Sequence, residues 1–239
     1  MLENNKAGAF ILGIFVFLGL STLGFLLGNA AHQFKQYDRS VTVKGLSEHE
    51  LNADRVLWPI QFTTAGNDLE KLYTSIDENT AKIQAFLGKN GVTPEETTVT
   101  PPSITDKSAQ QYNSGSKPEF RYAASQTVTV YSTDIDKIRS LMSSLTVLGK
   151  EGIVFARTNY ELKTEYFFTR LNEVKPEMIE EATRKAREVA EKFASDSRSK
   201  LGKIKKASQG QFSISNRDKN NPHIKKVRVV STVEYYLSD

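Results

Sequence analysis

Few residues in this sequence have the types and spacing that catalysis requires. Ser47, Glu48 and His49 are adjacent, and serine with histidine is a pair used in nucleophilic catalysis. Adjacent strand residues point to opposite faces, however, and a hydrolase also needs an oxyanion site or a G-x-S-x-G elbow, which the sequence lacks. We therefore expect the end of a surface strand at Ser47 and His49 rather than a hydrolase.

Other types of active site have no better candidates. The acid pairs Asp134/Asp136 and Glu180/Glu181 fit a helix N-terminus and a solvated helix face, respectively. The chain has no cysteine, three histidines without metal spacing, and no glycine-rich phosphate loop. We predict a non-enzymatic protein with no metal and no cofactor.

A basic segment is the main candidate for binding. Ten lysines and arginines lie between Arg198 and Arg228, with Asp218 as the one acid among them. Such a segment would attract an anionic ligand or partner, with a strength that falls as salt rises. The candidate contacts are Lys203, Lys205, Lys206, Lys225, Lys226 and Arg228. The alternative, which we favour, is that these side chains are neutralised by the acids of the preceding helix. The net charge of +4 does not indicate a nucleic-acid partner.

The elements that position these residues alternate between periods of 2 and 3.6, which predicts an α+β fold. Helices are predicted over 67–88, with Asn67 as the capping residue, over 134–145, and over 176–202, with Pro176 in the first turn. Pro59 within a β-rich run predicts a sheet edge or a bulge. Strands are predicted at 41–45, 55–64, 97–104, 120–131, 153–167, 203–214 and 224–237, and an exposed polar loop at 106–118.

The order of these elements suggests an internal duplication. Residues 54–131 and 153–237 both follow the order strand, helix, strand, loop, strand. We interpret them as two degenerate strand-helix-strand-strand halves that are joined by the helix near 135–145.

The N-terminal segment can span a membrane. Between Ala7 and Ala31 there is no charged residue, and a helix of this length would be roughly 35 Å long, against a hydrocarbon thickness of about 30 Å. The segment exceeds an ordinary signal-peptide core of about 7–15 residues, although Gly28-Asn29-Ala30 offers a cleavage site. A retained signal anchor is favoured over a removed signal peptide. The residues predicted to face lipid are Phe10, Ile14, Phe17, Leu20, Leu23 and Leu27.

Three stretches carry a resemblance to a known family. They are VTVKGLSE at 41–48 with Ala53-Asp54, the strand, helix and strand at 128–155, and EATRKAREVAEK at 181–192 with LGKI after it. Over residues 40–238 the sequence resembles the SIMPL-domain family, which includes bacterial periplasmic proteins and an outer-membrane immunogen. The resemblance implies an exported α+β domain, a ring or channel-like self-assembly in at least one relative, and links to envelope or oxidative stress.

Together these observations predict three segments: an anchor or signal peptide at 1–31, a linker at 32–39 and a SIMPL domain at 40–238. An apolar N-terminal segment before a globular part is typical of export, and the lack of cysteine suits an oxidising compartment. We expect a homo-oligomeric envelope protein that is anchored in the bacterial inner membrane with its domain in the periplasm, or that is soluble there after cleavage. The alternative function is a periplasmic binding module for an anionic ligand.

Overall fold

The computed structural model describes residues 3–36, 39–109, 119–156 and 162–238 of the chain. Its helices are α1 (Glu3–Gln36), α2 (Leu69–Lys89), α3 (Ile135–Ser144), α4 (Thr146–Lys150) and α5 (Leu171–Asp196). Its strands are β1 (Ser40–Asn52), β2 (Arg55–Gly66), β3 (Thr97–Val99), β4 (Ser103–Asp106), β5 (Tyr122–Ser132), β6 (Val154–Phe155), β7 (Glu165–Phe167), β8 (Lys200–Gln209), β9 (Ser213–Asn216) and β10 (Ile224–Ser238).

The chain divides into two compact units. Unit 1 comprises Met1–Glu48, Val174–Ser213 and Arg228–Asp239, and unit 2 comprises His49–Glu173 and Ile214–Val227. The strands β1 and β10 and the helix α5 contribute residues to both.

The helix α1 contains the predicted apolar segment and extends past it. The stretch Phe10–Ala30 has a mean hydropathy of 2.5 and is entirely unburied, as expected of a membrane anchor or a signal sequence. The helix continues to Gln36, so part of the predicted linker is helical, and residues 37 and 38 lie outside the described residues. The six residues predicted to face lipid are all exposed: Phe10, Ile14, Phe17, Leu20, Leu23 and Leu27.

In unit 1, α5 packs closely on a sheet with the strand order β1-β10-β8. The helix contributes fully buried alanines, among them Ala182 and Ala186. Opposite them, Gly45 of β1 approaches so closely that an added Cβ would overlap the carbonyl oxygen of Ala182 and the amide nitrogen of Ala186. Small residues on both elements therefore set the distance between helix and sheet.

Unit 2 is built on the antiparallel pair β2 and β5. Its sheet has the order β3-β5-β2-β6, with β4 beside β5 and β7 beside β2. The inner face buries Phe62 and Val128 completely against Ile76 and Ile83 of α2. Burying one large apolar side chain contributes about 1.5–3 kcal/mol to the free energy of folding, so this cluster is the main source of stability for the unit.

Pro59 lies at a local edge of the sheet, which is one of the two alternatives, an edge or a bulge, that the sequence predicts for it. On one side β2 pairs continuously with β5, including Pro59 opposite Thr129. On the other side β7 pairs with residues 55–57 and β6 pairs with Phe62 and Thr63. Within the described ranges no strand pairs with Pro59 on this second side, so a residue without an N–H is tolerated there.

The predicted start of α2 is wrong by one residue. The side chain of Asp68, not that of Asn67, accepts the amides of Glu70 and Lys71 and caps the helix. The Asn67 side chain instead accepts the backbone N–H of Arg121 at 2.9 Å. The capping-box spacing cannot distinguish two adjacent acceptors, because a contact distant in sequence decides which one is occupied. Asp134 caps α3, as predicted.

Both predicted ends of α5 are also wrong. The helix begins at Leu171, so Pro176 lies inside it rather than in the first turn. It ends at Asp196, well before Gly202, because Arg198 takes a positive φ of 55° and stops the helix without a glycine.

The α+β class is confirmed, whereas the arrangement in two strand-helix-strand-strand halves is not. The strands β6 and β7 of the second half pair with β2, whereas β8 and β10 lie in the sheet that contains β1. Residues 110–118 of the predicted loop and residues 157–161 of the predicted strand at 153–167 lie outside the described residues.

Candidate functional site

The six predicted basic contacts do not form one patch along one element. Lys203, Lys205 and Lys206 lie exposed on β8 in unit 1, and Arg228 is exposed on β10 in the same unit. Lys225 and Lys226 belong to the part of β10 in unit 2. Four of the six residues therefore lie in unit 1, and the other two lie in unit 2.

Lys205 is neutralised within its own sheet. Its Nζ lies 3.2 Å from a carboxylate oxygen of Glu234 on β10 and 5.7 Å from the ring centre of Tyr236. Ser40 also donates to Glu234, at 2.6 Å. The hydrogen bonds from Ser40 and then from Lys205 lower the pKa of Glu234, so this carboxylate stays ionised beside the lysine. Glu234 therefore neutralises Lys205, a role that the sequence analysis gave to acids of the preceding helix.

Lys225 is a buried residue rather than a surface contact. Its side chain points to the same face as the buried Val227 and Val229, and its Nζ donates to the side-chain oxygen of Asn216 at 2.5 Å. Burial lowers the pKa of Lys225, and Glu165 acts in the opposite direction. Alternation along β10 could have revealed this burial, because Lys225, Val227 and Val229 lie two residues apart.

The strand β8 is an edge strand with both faces exposed. It is last in the order β1-β10-β8, and nine of its ten positions are classed as exposed. The amide of Gly210 donates to the carbonyl of Val230, and pairing proceeds from there in antiparallel register. In an antiparallel pair, the N–H and C=O groups of successive residues point alternately to the partner strand and away from it. The backbone groups of Lys206 and Ser208 therefore point to β10, and those of Ala207 point to the outer edge of the sheet. This edge can accept a further strand.

Ser47 is buried, which corrects the prediction of a surface strand end. The strand β1 continues to Asn52, and the Ser47 hydroxyl donates at 2.5 Å to Glu181 of α5. Glu181 also pairs with Lys185, with 2.7 Å between the charged atoms. The short predicted strand ended too early because Gly45 reads as a strand terminator, whereas here it permits close packing. His49 lies half-buried on the same strand.

A second polar site, in unit 2, was missed by sequence reasoning. A cavity of about 460 Å³ is lined in part by Asn52, Asp134, Arg139 and His223. The His223 ring meets Tyr166 edge-on, with 6.0 Å between the ring centres. Burial, followed by the charges of Arg139 and of Arg217, lowers the pKa of His223, so the ring stays neutral at neutral pH. Among the described residues, no three histidine, aspartate or glutamate side chains are grouped to hold a metal ion.

Comparison with models of protein families gives a match. The model of the SIMPL family, described as a protein of unknown function (DUF541), matches residues 41–234. A comparison with curated proteins finds no relative of the chain. The match runs from the second residue of β1 into β10, and it includes Gly45, the alanines of α5 and the edge strand β8. On this match, which spans most of its length, the chain belongs to the SIMPL family.

Proposed function

We propose that this chain is a non-enzymatic, membrane-anchored protein of the bacterial cell envelope whose SIMPL domain assembles with further copies of itself. The domain lies in the periplasm and serves tolerance of envelope or oxidative stress. The exposed apolar helix α1 supports the anchor, and the family resemblance supports the compartment and the role in stress. The observation that carries the proposal of self-assembly is the edge of β8.

The charges on the two edges of the sheet favour a head-to-tail contact. Pairing β8 with β8 of a second copy would oppose lysine with lysine, which is unfavourable. The other edge strand, β1, carries exposed Glu48 and Glu50 in its second part, and Glu50 already lies 3.7 Å from Arg217. Pairing β8 of one copy with β1 of the next would place lysines near these acids, and repetition of one such contact closes a ring or extends a filament.

Ala207 provides a sharp test of the edge contact. The variant Ala207→Pro removes an N–H that points to the outer edge and leaves the hydrogen bonds of Lys206 and Ser208 to β10 in place. The control Ala207→Val keeps the N–H. We expect the full chain in nanodiscs or detergent to form oligomers by light scattering, Ala207→Val to keep that mass, and Ala207→Pro to be monomeric.

Two results would contradict self-assembly through β8. One is a monomeric full chain at high concentration. The other is an Ala207→Pro variant that folds and keeps the oligomeric mass, which would place the contact elsewhere.

A second candidate function is binding of an anionic partner by the exposed lysines of β8. Lys203 and Lys206 project from an exposed strand, which favours this alternative. The variant Lys203→Gln/Lys206→Gln would then weaken binding to vesicles that contain anionic lipid and would flatten its dependence on salt. Equal binding by the variant and the wild type would exclude these residues.

We also propose that the exported part arose by duplication. The shared order of a strand, a long helix and three further strands in β2–β5 and β7–β10 supports this origin. Exchange of strands between the two sheets would then have followed the duplication.

A further inference from the structure

A cleft at the sheet of unit 2 is lined mainly by residues of the strands, together with Asn79 of α2, and no described residue in its lining is ionisable. Its volume is about 520 Å³, large enough for two or three sugar-sized rings. The floor is formed by β2 and β5, and further residues come from β4, α2 and the segment from Gly152 to Val154. The residues that line it are Thr63, Thr64, Ala65, Asn79, Ser103, Thr105, Phe120, Ala123, Ala124, Ser125, Gly152 and Val154.

Strand pairing sets the hydroxyl groups of this cleft in a row across the sheet. Ser103 of β4 lies opposite Ser125 of β5, and Ser125 lies opposite Thr63 of β2. Thr105 stands two residues from Ser103 on the same face, so it extends the row along β4. Neighbouring strands are about 4.8 Å apart, so these hydroxyl groups repeat at about that distance across the sheet.

The polar side chains of the cleft are not used within the protein. Thr63, Ser103, Thr105, Ser125 and Asn79 form no side-chain hydrogen bond to any residue that the structure describes. The polar groups on the inner side of the same sheet behave differently. There Thr80 donates to Gln126 at 2.6 Å, and Gln126 donates to the carbonyl of Thr100 at 2.8 Å. The row of hydroxyl groups is thus available to a ligand that both donates and accepts hydrogen bonds.

Among the described residues, no ionisable side chain lines the cleft, which favours a neutral ligand. Asp106 and Arg121, which follow Thr105 and Phe120 in sequence, bind each other at 2.9 Å. The hydrogen bond from Arg121 is the main cause that lowers the pKa of Asp106 to about 2. Two adjacent charges are therefore already paired, and the cleft itself presents neutral dipoles.

The apolar part of the cleft is small and aromatic. Phe120 is 39% exposed, and Val154 is the other large apolar residue in the lining. A protein partner would need a broader apolar surface than these two residues offer. A strand would pair with an edge, whereas the hydroxyls project from a face. A ring with one C–H face for Phe120 and hydroxyl or amide groups at its rim fits both features.

We propose that this cleft binds a neutral saccharide chain, such as an unsubstituted glucan or an N-acetylated glycan. Phe120 stacks on the apolar face of one ring, and the row from Ser103 through Ser125 to Thr63 bonds the hydroxyl or acetamido groups. Binding of the saccharide requires neither the edge of β8 nor the membrane anchor.

The test uses the full chain in nanodiscs, which avoids detergents with sugar headgroups, and two probes, maltotetraose and the tetramer of N-acetylglucosamine. Calorimetric titration should detect binding of at least one probe. Thr63→Val/Ser125→Ala keeps the side-chain shapes and removes two hydroxyls, which should weaken binding about tenfold. Phe120→Ala should weaken it by a similar factor. Thr129→Val, on the same face of β5 but outside the cleft, should bind like the wild type.

Three results would overturn the proposal. The first is that neither probe binds at millimolar concentration. The second is that Thr63→Val/Ser125→Ala, with an unchanged urea midpoint, binds as tightly as the wild type. The third is that this variant loses oligomeric mass, which would assign the face to a second copy of the chain.

Discussion

Gly45 is the residue on which the packing of unit 1 depends. A Cβ at this position would collide with the backbone at Ala182 and Ala186, which cannot move without shifting α5. We expect Gly45→Ala to lower the free energy of unfolding by about 2–3 kcal/mol, because overpacking against backbone leaves no side chain to yield. Urea unfolding of the full chain, followed by circular dichroism, measures the change.

A glycine in open space provides the matched control. Gly149 lies in α4 with no atom within 4 Å of an added Cβ. Gly149→Ala should raise stability by about 0.5–1 kcal/mol through helix propensity. Equal effects of the two substitutions would show that the contact of Gly45 with α5 does not constrain the packing.

His223 makes stability depend on pH. Its pKa in the folded chain is lowered below the ordinary value of 6.5, mainly by burial. Between that value and the lower folded pKa, the unfolded chain therefore binds more protons, and stability falls as pH falls. We expect the urea midpoint to decrease from pH 8 to pH 5, and the decrease to be smaller in His223→Gln. A wild-type slope in His223→Gln would assign the pH dependence to other groups.

At the scale of the element, the start of α2 depends on one carboxylate. Asp68 caps two amides at 3.0 and 3.2 Å, and the positive end of the helix dipole adds to its effect. Asp68→Ala should destabilise unit 2 by about 1 kcal/mol. Glu78→Ala, on the exposed face of the same helix, should change the free energy of unfolding by less than about 0.5 kcal/mol. A smaller loss for Asp68→Ala than for Glu78→Ala would show that the cap does not form in solution.

For the whole molecule, the proposal that α1 is a retained anchor predicts where the chain resides. We expect the full chain to stay in the membrane after alkaline extraction and to keep the mass of the uncleaved sequence. Phe17→Lys/Leu20→Lys should release much of it, because each lysine at the centre of the span costs about 2.5–3.5 kcal/mol. The control Phe17→Leu/Leu20→Phe should remain in the membrane. A soluble wild-type chain that begins after Ala30 would contradict the anchor and indicate a removed signal peptide.

Local signals in the sequence determined the elements. The apolar run in α1, the alternation in β10 and the stripe of α2 are periodic patterns within one segment, so they predict a helix or strand without knowledge of its neighbours. The ends of α2 and α5 were less predictable. The side chain of Asn67 accepts a hydrogen bond from the distant Arg121, so it does not cap α2. At the end of α5, Arg198 rather than a glycine takes the positive φ that stops the helix.

Tertiary structure alone decided which side chains meet and which remain available. Alternation along β10 indicates which face Lys225 is on, but it does not indicate that the ammonium group of Lys225 would donate to Asn216. Nor does the sequence near Ser47 indicate that its hydroxyl would donate to Glu181. The cleft also depends on strand register, which places Ser103, Ser125 and Thr63 in one row. These contacts join residues that are far apart in sequence. They therefore depend on which strands pair and on which face of each sheet is buried. An apolar N-terminal helix and an α+β domain of the SIMPL family could thus be predicted from local patterns, whereas the surfaces of the domain follow from its fold.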